Sequence, residues 1–184
     1  MASKIKVDQI QTADGTGTIA LQNQLSGMTT ASLPTVTTDK LGTGAVLSIH
    51  RAESTGSQQV LQTTSWTDLT GVTVTLTPKS SSSKFLLVGS VHGNANPGNT
   101  AGFSFRFLRN GTAIHTPAYK HEAYFNAPTD WYARLSKSKL DEPNTASSIT
   151  YKIQVGQHNT QTVYYNYGSN AMFASEIVIW EVEG

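Results

Sequence analysis

The chain has 184 residues, a net charge of +1, only 14% charged residues and no cysteine. That length fits one domain plus a tail. The near-neutral balance excludes binding driven by bulk attraction to nucleic acid or an anionic membrane, and the missing thiols exclude disulfides, thiolate chemistry and zinc–cysteine sites. Polarity comes instead from hydroxyls, 19 Ser and 25 Thr. Because threonine suits half-exposed strands, the expected fold class is all-β.

In chain order, the opening "MASKIKVDQI" lacks the apolar core of a secretory signal. No apolar run approaches the ~18 residues that would span a bilayer, so no membrane insertion is expected. All sixteen aromatic residues lie at or after Trp66. Aromatics supply much of a core's buried area, so residues 1–45 read as an arm and linker with little core of their own. Within it, "ADGTG" is a turn between two short strand-like runs, whose apolar residues Ile5, Val7, Ile10, Ile19 and Leu21 are the candidate attachment contacts. Residues 46–184 form the head. Here "AVLSIHRAE" reads as a strand. In "VTVTLTP", Val72, Val74 and Leu76 share one face before Pro78 closes the run. "KSSSS" turns the chain at a solvent-facing end. "KFLLVGSVH" is apolar on both faces, as in a strand covered on both sides. "FSFRFLRNGTAI" stacks Phe103, Phe105 and Phe107 and turns at Asn110-Gly111, a two-residue hairpin signal. "SSITYKIQV" aligns Ile149, Tyr151, Ile153 and Val155, and "TVYYNY" and "SEIVIWEVE" complete about eight short strands. That number of strands, with turn residues between them, predicts a β-sandwich or barrel.

Signals for chemistry are sparse. A glycosidase needs two placed carboxylates, and only Glu122 and Asp130 fall near each other in a loop; with no supporting pattern around them, they read as solvated loop charges. His92, His121 and His158 could hold a metal only if the fold gathers them. "HEAYF" at 121–125 has Phe125 where a helical zinc motif needs histidine. No nucleophile elbow or phosphate loop occurs, so no enzyme activity, cofactor or metal is expected. One feature stands out: residues 115–135 carry Tyr119, Tyr124, Phe125, Trp131 and Tyr132 in what reads as a long loop, and "QHNTQTVYYNYGSN" adds Tyr164, Tyr165 and Tyr167. Long aromatic loops bind sugars or protein surfaces, yet rings also fill cores and subunit interfaces; both readings stand. The candidate receptor contacts are Tyr119, Tyr124, Phe125, Trp131, Tyr132 and Tyr165.

Four pieces, in order, carry a resemblance: the "T-P-x-S-x-x-S-K" turn at 77–84, the "R-N-G-T-x-I" hairpin at 109–114, the "T-Y" strand at 150–151 and the closing Glu-bearing strand at 176–181. Over roughly residues 60–184 the chain resembles the C-terminal domain of bacteriophage fibre proteins, common in phages of cyanobacteria and other marine bacteria. Its "KIKVDQIQTADGTGTIAL" is similar to the start of short phage fibre and appendage proteins. The resemblance implies a jelly-roll-like antiparallel β-sandwich head with an extended N-terminal arm, assembled as a homotrimer. The arm would be held by other virion proteins, and the head would face a host surface glycan or protein. It implies a virion location, with synthesis in the host cytoplasm. Because the long repetitive shaft of typical fibres is missing, it implies a short tail or head appendage. A stand-alone carbohydrate-binding module is the alternative.

Overall fold

The computed structural model describes residues 41–54, 58–95, 100–126, 131–167 and 173–184. These lie within the compact unit Thr37–Gly184. The expected arm contacts Ile5, Val7, Ile10, Ile19 and Leu21, and Asp130, lie outside the described residues.

The described residues form eleven strands: β1 (Val46–Glu53), β2 (Gln59–Leu61), β3 (Thr67–Leu76), β4 (Lys84–Ala95), β5 (Thr100–Arg109), β6 (Thr112–His115), β7 (Ala123–Asn126), β8 (Trp131–Asp141), β9 (Ile149–Gln157), β10 (Val163–Tyr165) and β11 (Glu176–Val182). The described residues contain no α-helix, and every strand pair is antiparallel.

Several strands share a position. β11 pairs with residues 84–90 of β4, and β10 with residues 93–95, while β8 runs along the other side of β4. β1 and β2 continue outward from β11 and β10. In the second sheet β6 and β7 likewise share one side of β5, and β9 and then β3 lie on the other. The result is two four-wide sheets, β1/β2–β11/β10–β4–β8 and β3–β9–β5–β6/β7. The chain crosses between them at every successive position except the step from β5 to β6/β7, which stays in one sheet; that is the winding of a jelly roll.

The residue pattern explains this. Val72, Val74 and Leu76 face inward and the intervening threonines outward. Leu69 is also buried although it lies three positions before Val72, out of phase with a strict alternation. The ladder shifts register between Asp68 and Thr73, and Gly71 takes φ +82°, so a bulge restores the inward phase. At the hairpin, Asn110 and Gly111 both have positive φ and join Arg109 to its partner Thr112, as a two-residue turn requires. Phe103, Phe105 and Phe107 are fully buried. They fit because β4 opposes them with glycine: a Cβ on Gly89 would lie 2.8 Å from Phe107, and one on Gly93 would strike Phe103. Ile149, Tyr151, Ile153 and Val155 close the core from β9. The Tyr151 hydroxyl donates to Asp141 at 2.7 Å, and Arg109 donates to both carboxylate oxygens at 2.9 Å, tying β9, β8 and β5 together.

The serine hinge turns out to be organised around a carboxylate. Glu181 of β11 is fully buried at the end of the core. Its Oε1 accepts from the Lys79 N–H at 2.5 Å and the Ser83 hydroxyl at 2.7 Å, and its Oε2 accepts from the Ser48 hydroxyl at 2.7 Å. Ser48 spends its one proton there, so the contact at 2.9 Å to His50 Nε2 is a donation from the imidazole. The turn at 77–84 and the closing Glu-bearing strand are therefore one structural unit.

Two expectations are corrected. The expected loop 115–135 is not continuous: residues 123–126 are strand β7, and residues 131–135 open the eleven-residue edge strand β8. Its core-side positions include Lys137 and Lys139, opposite Gly89 and Leu87, and those charges hid its alternation. β4 is apolar on both sides, as read, but its outer residues Leu86 and Val88 are only partly covered by the described chain.

Candidate functional site

Three surfaces on the sandwich carry unusual residues. The first lies on the outer face of the β3–β9–β5–β6/β7 sheet, where residues 116–122 cross β5. Lys120 donates to the Thr64 carbonyl, and its ammonium lies 5.1 Å from the Trp66 ring centroid. Arg106 stacks on the same ring at 4.6 Å. Trp66 rests on Gly156, where a Cβ would approach its ring to 2.7 Å. Beside it, four rings gather: Tyr119–His121 at 5.2 Å between centroids, His121–His158 at 4.7 Å, and Tyr124 at 6.2 Å from both imidazoles. Tyr119 is 67% and Tyr124 47% exposed.

Under the same crossing segment lies a polar network. Lys137 donates to the Ser104 hydroxyl and the Phe105 carbonyl, both at 2.9 Å, and pairs with Glu122. All three ammonium donors are thus used. Ser104 in turn donates to Glu122. Phe105 sits between the part of β5 paired with β6 and the part paired with β7, so Lys137 fills the break in the ladder. Burial pulls the Glu122 carboxyl up, but the Lys137 and Ser104 hydrogen bonds outweigh it and hold it below the usual range. A lysine with every donor spent and a serine that is fully buried form a strut between the sheets, not a nucleophile and its base.

The second surface is on the opposite sheet. Tyr132 stacks on Phe173 with centroids 5.5 Å apart and ring planes at 19°, and Tyr167 and Tyr164 extend the cluster. His92 of β4 is buried beneath it, 4.6 Å from the Phe173 ring. Burial, with Arg134 adding to it, pushes the His92 imidazole down to about 4. The third surface is an apolar row across the same sheet. Ile49 is opposite Trp180, Trp180 opposite Leu86, and Leu86 opposite Leu140. Ile49 is 60%, Leu140 49% and Trp180 41% exposed. Val178 and Val88 flank the row. Ion pairs border it, Arg51 with Glu53 and Glu176 on one side and Lys84 with Glu142 on another.

Of the sequence-predicted contacts, Tyr119 and Tyr124 come together on the first surface and Tyr132 lies in the second, while Trp131, opposite Ala95 at the start of β8, is partly exposed and on the core-side parity of the strand. Phe125 takes its backbone place in β7 opposite Ala101. Tyr165 is corrected: it is fully buried between the sheets, edge-on to Phe103 at 5.4 Å, and belongs to the core. The fold brings His121 and His158 together but leaves His92 on the other sheet, and no group of three or more His, Asp or Glu among the described residues is placed to hold a metal. Sequence reasoning missed the apolar row. Its signal was the unbroken run "IVIW" in β11 beside "FLLV" in β4.

These strands define an all-β jelly-roll sandwich. No family model and no curated protein sequence matches the chain. Two solved structures similar to it are of infectious bursal disease virus. One is the T13 viral particle, at 12% identity and a TM-score of 0.42 over 81% of this chain; the other is the Gx strain, at 13% identity and 0.39 over 76%. This chain covers 39% of each of those chains. At these scores, the jelly-roll assignment rests on the strand order.

Proposed function

We propose that the protein is a structural component of a bacteriophage virion: a short homotrimeric fibre or appendage, held through residues 1–45 and displaying the jelly-roll head to the host surface. The observation that carries this reading is the apolar row Ile49–Trp180–Leu86–Leu140, four register partners on an open sheet face. An apolar centre with an aromatic anchor and a charged rim is the anatomy of a subunit interface. Burying what Trp180, Ile49 and Leu140 expose would contribute on the order of 2 kcal/mol each. The ordered motifs shared with phage fibre heads support the virion assignment, and the tyrosine–histidine cluster at Tyr119 and Tyr124 supports adhesion. Many copies on one particle would multiply weak contacts with a surface glycan.

Sedimentation equilibrium tests the assembly: a trimer is expected, and Trp180→Lys is expected to give folded monomers. A wild-type monomer would overturn the fibre reading and favour a stand-alone carbohydrate-binding module. Deletion of residues 1–45 is expected to abolish incorporation into particles while leaving a folded head. On a glycan array, Tyr124→Ala is expected to weaken retention at least tenfold with unchanged melting; retention at the wild-type level would remove this face from the adhesive role.

A further inference from the structure

We infer that His121 and His158 form a binding site for a divalent transition-metal ion, Zn²⁺ being the natural occupant by ligand chemistry. His121 ends the segment that crosses β5, and His158 follows β9. They meet over Gly102, whose carbonyl accepts from the His158 N–H at 3.0 Å. The absent side chain is what lets them meet: a Cβ on Gly102 would lie 2.8 Å from the His121 Cβ and 3.3 Å from its Cα. The ring centroids are 4.7 Å apart with planes at 71°. Two imidazoles sharing one ion at a metal–nitrogen distance of about 2.0–2.1 Å and a near-tetrahedral angle place their centroids about 5 Å apart. The observed ring separation matches that value, so rotation of the two side chains is what must bring one nitrogen of each onto a shared ion.

The surroundings suit an ion held from outside. Neither imidazole is hydrogen-bonded to a described residue, and His158 is exposed. Imidazole nitrogen suits zinc, nickel and copper over calcium or magnesium. No third histidine or carboxylate joins the pair among the described residues, so solvent completes the coordination sphere. An open sphere exchanges water for other oxygen donors, and the exposed Tyr119 and Tyr124 stand beside it. The ion is therefore accessible to a carboxylate or hydroxyl ligand from outside the chain.

The test uses the full chain without a histidine tag, stripped with chelator, and Zn²⁺ as the probe. Isothermal titration is expected to show one ion per chain in the micromolar range. His121→Ala and His158→Ala are each expected to weaken binding at least tenfold, and His50→Gln to leave it unchanged. Long-range ¹H–¹⁵N spectra of the unaltered chain give a readout independent of variant folding: ring nitrogens of His121 and His158 are expected to shift together on titration. No saturable binding, undiminished binding in both alanine variants, or shifts confined to His50, His92 or His115 would each overturn the proposal.

Discussion

Replacing Glu181 tests the claim that a buried carboxylate organises the serine hinge. Its two oxygens accept three hydrogen bonds, from Lys79 N–H, Ser83 and Ser48, and the side chain is fully buried. Hydrogen bonds to a charged group contribute roughly 1.5–3 kcal/mol each, and a buried donor left alone costs about 1–3 kcal/mol. Glutamine keeps one acceptor oxygen, which can serve Lys79 and Ser83, while its amide turns to the Ser48 oxygen. The loss is then mainly charge assistance, and Glu181→Gln should cost about 2 kcal/mol. Alanine leaves the Lys79 N–H without an acceptor and opens a void, so Glu181→Ala should cost about 4 kcal/mol. Against a total of about 5–15 kcal/mol, that is a large fraction. The assay is urea unfolding followed by tryptophan fluorescence at one fixed chain concentration, because assembly would couple to stability. Ser83→Ala should cost about 1–2 kcal/mol alone and at least 1 kcal/mol less in the Glu181→Ala background, since both remove one interaction. A Glu181→Ala cost under about 1 kcal/mol, additive with Ser83→Ala, would refute the reasoning.

Gly93→Ala should destabilise the head by about 1–3 kcal/mol, because its Cβ would strike the Phe103 ring in a filled core, whereas Gly42→Ala, with nothing within 4 Å, should be neutral in the same melt. His92 stays neutral in the folded state down to about pH 4, while the unfolded chain takes up a proton near 6.5. The folded state therefore has its full stability above pH 6.5 and loses up to about 3 kcal/mol as pH falls to 4. A pH series of unfolding curves should show that slope in the wild type and its loss in His92→Gln. Lys137→Met should lower stability by about 1–2 kcal/mol, since it leaves the Phe105 carbonyl without this donor while the partly exposed Glu122 keeps its hydrogen bond from Ser104; a neutral result by thermal melting would remove the strut.

The legible parts of the fold were those where one periodicity ran undisturbed. The alternation in β3, β5 and β9, and the Asn110-Gly111 turn, were readable because each strand has an apolar inner and a polar outer face. β8 was not, because Lys137 and Lys139 occupy core-side positions and reach a polar rim that only the folded chain supplies. The short strands β2 and β7 are set by pairing to longer neighbours, which no local pattern records. At the candidate sites, composition flagged Tyr119 and Tyr124 but could not separate them from Tyr165, since ring content is the same on either side of a sheet. The approach of His121 to His158 depends on Gly102, far from both in sequence and legible only once β5, β7 and β9 are aligned.

The lysines that disguise β8 also set how copies of this molecule can combine. Among the described strands β8 pairs with β4 alone, and the margin of a sheet is a template on which a neighbouring strand can add. Cationic stems planted on its inward side make a continuing ladder costly, so growth by strand addition is blocked. An edge built this way is biased against fibril growth when such heads are crowded together.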